Sequence, residues 1–277
     1  MKLSIITINL NNKNGLQKTI DSVVSQTFKD YEWIVIDGGS IDGSRELIEQ
    51  YADHFAYWVS EPDKGVYNAM NKGIRVAKGE YLQFLNSGDW LWNETALERC
   101  FSHGFTADIA YGDLYYYFGE NGFKERRFSD HLSLRFFYKT TVCHNSTFIK
   151  RLPLANELYD ENLKIVSDWK FFLIQFINDK SFEHINEFVI SFDKSGISSV
   201  NIELLKQERS EVVERILPSW ALQCNREMDE MENLLNSDYV RKVLELGNKR
   251  NLYHKMITGC LMFIGFIDSV FTRKNKK

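Results

Sequence analysis

The amino-acid sequence predicts an α/β protein built on a parallel, doubly wound sheet and followed by a helical C-terminal region. Three observations carry that prediction. Short β-like runs alternate with stretches of helical periodicity through the first hundred residues. Strand signals stop near residue 200, and the remainder reads as charge-rich helix. Polar and glycine residues collect where the predicted strands end, the edge at which an open parallel sheet binds ligands.

Leu3 to Ile8 is a continuous apolar run and the first strand. Leu16, Ile20, Val23 and Val24 recur at i, i+4, i+7 and i+8 and mark one buried helix face. Trp33 to Ile36 forms the second strand, ending in Asp37-Gly38-Gly39-Ser40. A short helix through Leu47, Ile48 and Tyr51 precedes a third strand at Tyr57-Trp58-Val59. Val66, Met70, Ile74 and Ala77 make the next helical stripe, and Tyr81 to Leu85 is the fourth strand. Beyond it, Ile109 to Tyr117 and Phe123 to Phe128 flank Gly119-Glu120-Asn121-Gly122 and read as a hairpin. An aromatic segment at Phe136, Phe137 and Tyr138, a strand from Asn145 to Ile149, and a helix capped by Ser167 complete this part. The expected division is therefore a catalytic-type domain over residues 1–200 and a helical region over residues 201–277.

Composition narrows the function. A formal net charge of −4 argues against a general nucleic-acid binder, which carries a basic surplus. Cys100, Cys143, Cys224 and Cys260 show no C-x-x-C spacing, so free thiols in a reducing cytoplasm are expected rather than a disulfide framework or structural zinc. Met1 leads straight into the first strand with no signal-peptide pattern, and no apolar run reaches about 18 residues. A cytoplasmic location follows as the expectation.

The chemistry gathers at strand ends. Asp37 to Gly43 follows strand two, where glycines let the backbone turn sharply and approach a ligand; a strand-to-helix turn capped by Ser40 or Asp42 reads equally well. The segment is not G-x-G-x-x-G, so dinucleotide binding loses its main support. Asn86-Ser87-Gly88-Asp89 follows strand four. A carboxylate there either ligates a hard cation shared with a substrate diphosphate or caps a turn. Asp113, in Tyr111-Gly112-Asp113, either binds a sugar hydroxyl or caps a turn.

Taken together, Ser4 to Asn9, Gln26-Thr27-Phe28, Glu32 to Gly43, Glu61 to Ile74 and Gly79 to Asp89 resemble, in order and spacing, successive blocks of the family 2 glycosyltransferases. The resemblance covers roughly residues 1–195. It implies a GT-A fold with a central, mainly parallel sheet, an inverting mechanism and a nucleotide-diphosphate sugar donor, most simply a UDP-sugar. It also implies a saccharide or lipid-linked acceptor in surface-polysaccharide assembly. By carry-over, Thr7 and Asp37 contact the nucleotide base, and Asp63 and Asn71 lie near the nucleotide or its ribose. Asn9, Lys64, Asn86 and Ser87 complete the donor set. Asp89 matches the carboxylate that holds Mn2+ or Mg2+, although the motif's leading acidic positions are here Asn86 and Gly88. Asp168, in Ser167-Asp168-Trp169, matches the general base, with Asp160 and Glu161 nearby as alternatives. His144, in the block Cys143 to Phe148, is expected beside the acceptor or diphosphate.

Two other readings compete. A sugar nucleotidyltransferase needs a glycine- and basic-rich phosphate loop, whereas Asn9 to Gly15 carries only Lys13. A non-catalytic nucleotide-sugar-binding module is kept open by the reduced acidic motif. Met256 to Phe271, followed by a basic tail, reads as a helix lying on the inner membrane face, or as one packed on the catalytic domain or on a second subunit of a homo-oligomer.

Overall fold

The computed structural model describes residues 1–193, 201–238, 240–242 and 261. Met256 to Phe271, read above as a membrane-surface or oligomer helix, thus lies outside the described residues except for Leu261. The chain divides into two compact units, Met1–Ile216 and a second beginning at Leu217. The first unit therefore continues past residue 200 through a helix at Ile202–Ile216.

The sheet grows from β1 (Leu3–Asn9), β2 (Tyr31–Asp37), β3 (Tyr57–Ser60) and β4 (Tyr81–Phe84). Their spatial order is β3-β2-β1-β4, and every pairing among them is parallel. The order reverses between β1 and β4, which opens a crevice at the carboxyl ends of those two strands. β1 is buried along its whole length, as a strand covered on both faces must be. Helix α1 (Lys13–Val24) turns Leu16, Ile20 and Val23 inward, as the periodicity predicts. Helix α2 (Ser44–Gln50) buries Leu47 and Ile48. Helix α3 (Val66–Val76) packs hard on β1, because a methyl at Gly73 would stand 2.5 Å from Ile6 Cγ2.

The second half of the sheet is mixed. β5 (Trp90–Leu91), β6 (Ile109–Tyr117), β7 (Phe123–Arg126), β8 (Thr147–Lys150) and β9 (Phe182–Asp193) extend the order as β4-β8-β6-β9-β5. Only β6–β9 is parallel among these added pairings. β6 and β7 form the expected hairpin, with Tyr117 opposite Phe123. β8 starts at Thr147 rather than Asn145, because residues His144–Ser146 form a single 3-10 turn.

Helix α4 (Ala96–Ser102), α5 (Leu134–Lys139), α6 (Arg151–Asn156) and α7 (Ser167–Ile177) cover the sheet. Ser167 is not the cap of α7. It is the first helical residue, and its hydroxyl accepts the Asp160 N–H at 2.6 Å, holding the preceding loop against the helix. Helix α8 (Ile202–Ile216) is tied to that same loop: Glu208 accepts the backbone N–H groups of Lys164 and Ile165 at 2.7 and 2.9 Å. The second unit contains α9 (Ser219–Leu235), on which Trp220, Met231, Leu234 and Leu235 are exposed. No helix among the described residues is long and apolar enough to cross a membrane.

Candidate active site

The loops after β1 and β2 are zipped together by side chains. Asp37 is fully buried, and its carboxylate accepts from Asn9 Nδ2 (2.7 Å), Ser40 Oγ (2.6 Å), Ser60 Oγ (2.6 Å), and the N–H groups of Ser40 (2.9 Å) and Gly39 (3.2 Å). Gly39 sits at φ 82°, a conformation glycine adopts without strain. Two further bonds cross the same gap: the Asn11 N–H donates to Ser40 Oγ, and the Ile41 N–H donates to Asn11 Oδ1. Asp63 reaches in from the next loop, since a methyl at Gly38 would lie 2.6 Å from its Oδ2. Asn9, Asp37, Ser40 and Asp63 are thus one cluster at the crevice.

Burial alone would raise the Asp37 carboxyl, but the bonds from Ser40, Ser60 and Asn9 outweigh it and hold it below its ordinary value. Because the native pKa is depressed, the stabilisation is complete above the unfolded value of about 3.9 and is lost as pH falls through the native value. Asp37→Ala is expected to cost on the order of 3 kcal/mol at neutral pH. It should also flatten the loss of stability below about pH 4. Denaturant unfolding as a function of pH measures both.

The other wall of the crevice is the loop after β4. Ser87 donates its N–H to Ile8 O at 3.0 Å, and Asn12 Nδ2 donates to Ser87 O at 2.9 Å, fastening the loop to β1 and α1. Asp89 is 5% exposed, and its Oδ2 accepts from Asn145 Nδ2. Asn86 Nδ2 lies 3.3 Å from His144 Nε2, while Asn86 Oδ1 is buried without a partner. Among the described residues no three His, Cys, Asp or Glu side chains cluster as a metal site. What the loop offers is one carboxylate and one orphaned amide oxygen. That donor set suits Mg2+ or Mn2+ in the form where substrate diphosphate and water supply most ligands.

Asp168 opens α7 and faces this loop through His144. His144 Nδ1 lies 2.8 Å from Asp168 Oδ2, and Tyr67 donates its hydroxyl to Asp168 Oδ1 at 2.9 Å. Both partners of the His144–Asp168 contact are nearly enclosed, at 16% and 15% exposure. Burial pushes the Asp168 carboxyl up, but the bond and charge of His144 and the bond from Tyr67 bring it below its ordinary value. The backbone N–H of Trp169 is a third donor to the same carboxylate. Cys143, adjacent, is pushed up to about 12 by burial and by the Asp89 charge, so it stays a thiol.

Helix α3 buttresses the segment that leads to Asp168. Asn71 is buried and grips Tyr159 in both directions: its Nδ2 donates to Tyr159 O at 2.8 Å and its Oδ1 accepts Tyr159 N–H at 3.0 Å. Asn71 and Asn68 also donate to Glu161 at 2.9 and 2.7 Å. Tyr67→Phe removes one bond that lowers the Asp168 pKa. The acid limb of any activity that needs ionised Asp168 is then expected to move to higher pH, which a pH–rate profile measures.

The structure brings Asn86, His144 and Asp168 into one chain of contacts, with Asp89 alongside through Asn145. It brings Asn9, Asp37 and Asp63 into a second cluster on the same strand-end edge, joined through Asn12 and Ser87. Four expected residues face elsewhere. Thr7 is fully buried, and its hydroxyl accepts the Trp33 indole N–H at 3.0 Å. Asn71 clasps the loop before Asp168, and Lys64 projects into solvent from the turn before α3. Asp113 is 1% exposed and accepts from Phe128 N–H (2.9 Å), with His184 Nε2 at 2.9 Å, so it anchors the segment after β7. Asp160 forms an ion pair with Lys170 at 2.7 Å, and Glu161 serves Asn68 and Asn71, so neither stands in for Asp168. Sequence reasoning missed Tyr67 and Asn145. Tyr67 is one position off the stripe read as core, and Asn145 had been placed inside a strand.

A crevice at the reversal of sheet order, lined by loops after β1, β2 and β4, is the site of a GT-A nucleotide-sugar fold. The model of the family Glycosyl transferase family 2 matches residues 4–156, more than half of the 277 residues, and the chain belongs to that family. An uncharacterized glycosyltransferase of Mycobacterium tuberculosis is 49% identical over 88 residues, 31% of this chain and 34% of that protein. The chain therefore spans about a third of the length of this relative. A PGL/p-HBAD biosynthesis glycosyltransferase of Mycobacterium bovis is 30% identical over 63% of this chain and 70% of its own. Among solved structures, TarS 1-349 of S. aureus in complex with UDP-GlcNAc aligns with TM-score 0.64 at 18% identity, over 86% of this chain and 68% of that one. A mannosyltransferase of Pyrobaculum calidifontis in complex with GDP-Man and Mn2+ aligns with TM-score 0.56 at 14% identity, over 93% and 83%.

Proposed function

We propose that this chain is an inverting glycosyltransferase that moves a sugar from a nucleotide diphosphate to an acceptor hydroxyl in glycan assembly. The observation that carries the reading is the Asp168 carboxylate, held between His144 and Tyr67 and linked through His144 to the loop after β4. UDP-sugar is the favoured donor class, in keeping with the UDP-GlcNAc named for TarS. The nucleotide rests against the Asn9–Asp37–Asp63 cluster, whose backbone is fixed by Asp37 rather than contacted through it.

In the chemical step Asp168 accepts the proton of the acceptor hydroxyl as its oxygen attacks the anomeric carbon from the face opposite the diphosphate. His144, with its Nδ1–H on Asp168, keeps the carboxylate ionised and oriented. A hydroxyl becomes strongly acidic as its oxygen bonds to carbon, so a carboxylate of depressed pKa suffices. A double displacement would need a separate nucleophile, and the neighbouring Cys143 is held as a thiol. Asp89 and Asn86 Oδ1 would hold Mn2+ or Mg2+, which would offset the charge of the departing diphosphate. A panel of nucleotide sugars, assayed for hydrolysis by the purified chain, tests the reading. Release of a sugar and nucleoside diphosphate from one donor supports it, and binding with no turnover of any donor defeats it in favour of a non-catalytic module.

A further inference from the structure

A cavity of about 250 Å³ opens beside Asp168 and His144. None of the loops after β1, β2 or β4 lines it. Its walls include Arg126 at the end of β7, Phe128, Thr141, Trp169 and, from α8, Arg209. The Arg209 guanidinium lies 4.7 Å from the Trp169 ring and donates through Nη1 to Lys139 O at 3.1 Å. Its Nε is buried with no partner, as is Thr141 Oγ1. The Arg126 guanidinium lies 5.1 Å from the Phe128 ring. Among the described residues neither arginine has a carboxylate partner.

An unpaired guanidinium with a buried N–H is costly, and such a group is normally matched by an anion. Each guanidinium lies over an aromatic ring, Arg209 over Trp169 and Arg126 over Phe128, and its planar fork suits bidentate recognition of phosphate or carboxylate. Burial pulls the Arg209 guanidinium below its ordinary value while the Asp168 charge pulls the other way, so the cation gains from a second negative group.

We propose that this cavity is the acceptor site and selects an acceptor whose sugar carries a phosphate or carboxylate close to the hydroxyl presented to Asp168. The proposal rests on the reading of Asp168 as the base. Arg209 receives the anion and Arg126, which lines the same cavity, assists.

The test uses the full chain saturated with UDP, titrated with three probes: octyl glucoside, its 6-phosphate, and octyl glucuronide. At least one charged probe is expected to bind about tenfold or more tightly than the neutral one, and which one identifies the anion. Arg209→Gln should remove most of that preference and Arg126→Gln about threefold of it, with UDP affinity unchanged in both. Equal binding of neutral and charged probes to the wild-type chain overturns the proposal. So does an unchanged preference in both variants, or a matching loss of UDP affinity, which would assign the cations to the donor diphosphate. Should Arg209→Gln fail to fold, Arg126→Gln alone decides, and an unchanged preference there counts against the proposal. These readouts are binding constants. An Asp168→Asn variant that still transfers sugar would defeat the base assignment while leaving them intact.

Discussion

Replacing Asp168 with asparagine is expected to slow sugar transfer by about 10²-fold or more while the donor dissociation constant stays the same. The amide is nearly isosteric, still accepts the Tyr67 hydroxyl through its oxygen, and cannot take a proton. His144 meets a changed partner, because the amide nitrogen donates where Oδ2 accepted. Turned so that its oxygen faces His144, the amide presents its N–H to the Tyr67 hydroxyl, which can accept it. What is lost in either orientation is the basic site, and that loss falls on the chemical step, since neither contact reaches the Asn9–Asp37–Asp63 cluster. Single-turnover rates and calorimetric donor binding separate the two effects. Normal transfer, or an equal loss of donor affinity, would remove Asp168 from the role of base.

The second large effect is expected at Asp89. Asp89→Ala should lower Mn2+ affinity by about 100-fold or more, since loss of a group that merely supports a metal ligand already costs 10–100-fold. It is the only carboxylate in its loop, and the orphaned Asn86 Oδ1 is a weak ligand by itself. UDP binding measured with Mn2+ should fall to its metal-free value, a readout that needs no turnover. The variant also leaves Asn145 Nδ2 without its acceptor, so the melting temperature must be recorded beside it. Full Mn2+ dependence of UDP binding in a folded Asp89→Ala chain would show that the ion is held elsewhere.

Most of the fold was legible because it is written in local periodicity. The continuous apolar runs and the period-3.6 stripes of residues 3–85 place four strands and three helices, and the strand ends place Asp37 and Asp89 at one crevice. In the mixed half the β6–β7 hairpin and β8 were legible, but β5 and β9 were not, since β5 is only two residues long and β9 pairs with β6, some seventy residues away. Asp168 could be found from its motif. Its true partners could not, because Tyr67 and Asp168 are 101 positions apart and no spacing rule joins them. Thr7 shows the opposite failure. Its place in a strand was right, but alternation cannot say which face a bulky neighbour such as Trp33 will claim. Arg209 sits in a helix without any motif, and only the packing of α8 brings it to the cavity beside Asp168.

The most direct measurement is the anomeric configuration of the sugar released when water takes the place of the acceptor. Proton NMR in the first minutes of donor hydrolysis, before the free anomers equilibrate, reports it. Single displacement with Asp168 as base predicts that an α-linked UDP-sugar first gives the β anomer, and that Asp168→Asn abolishes the signal. First appearance of the α anomer would mean retention, and with it a covalent or front-face mechanism that contradicts this account.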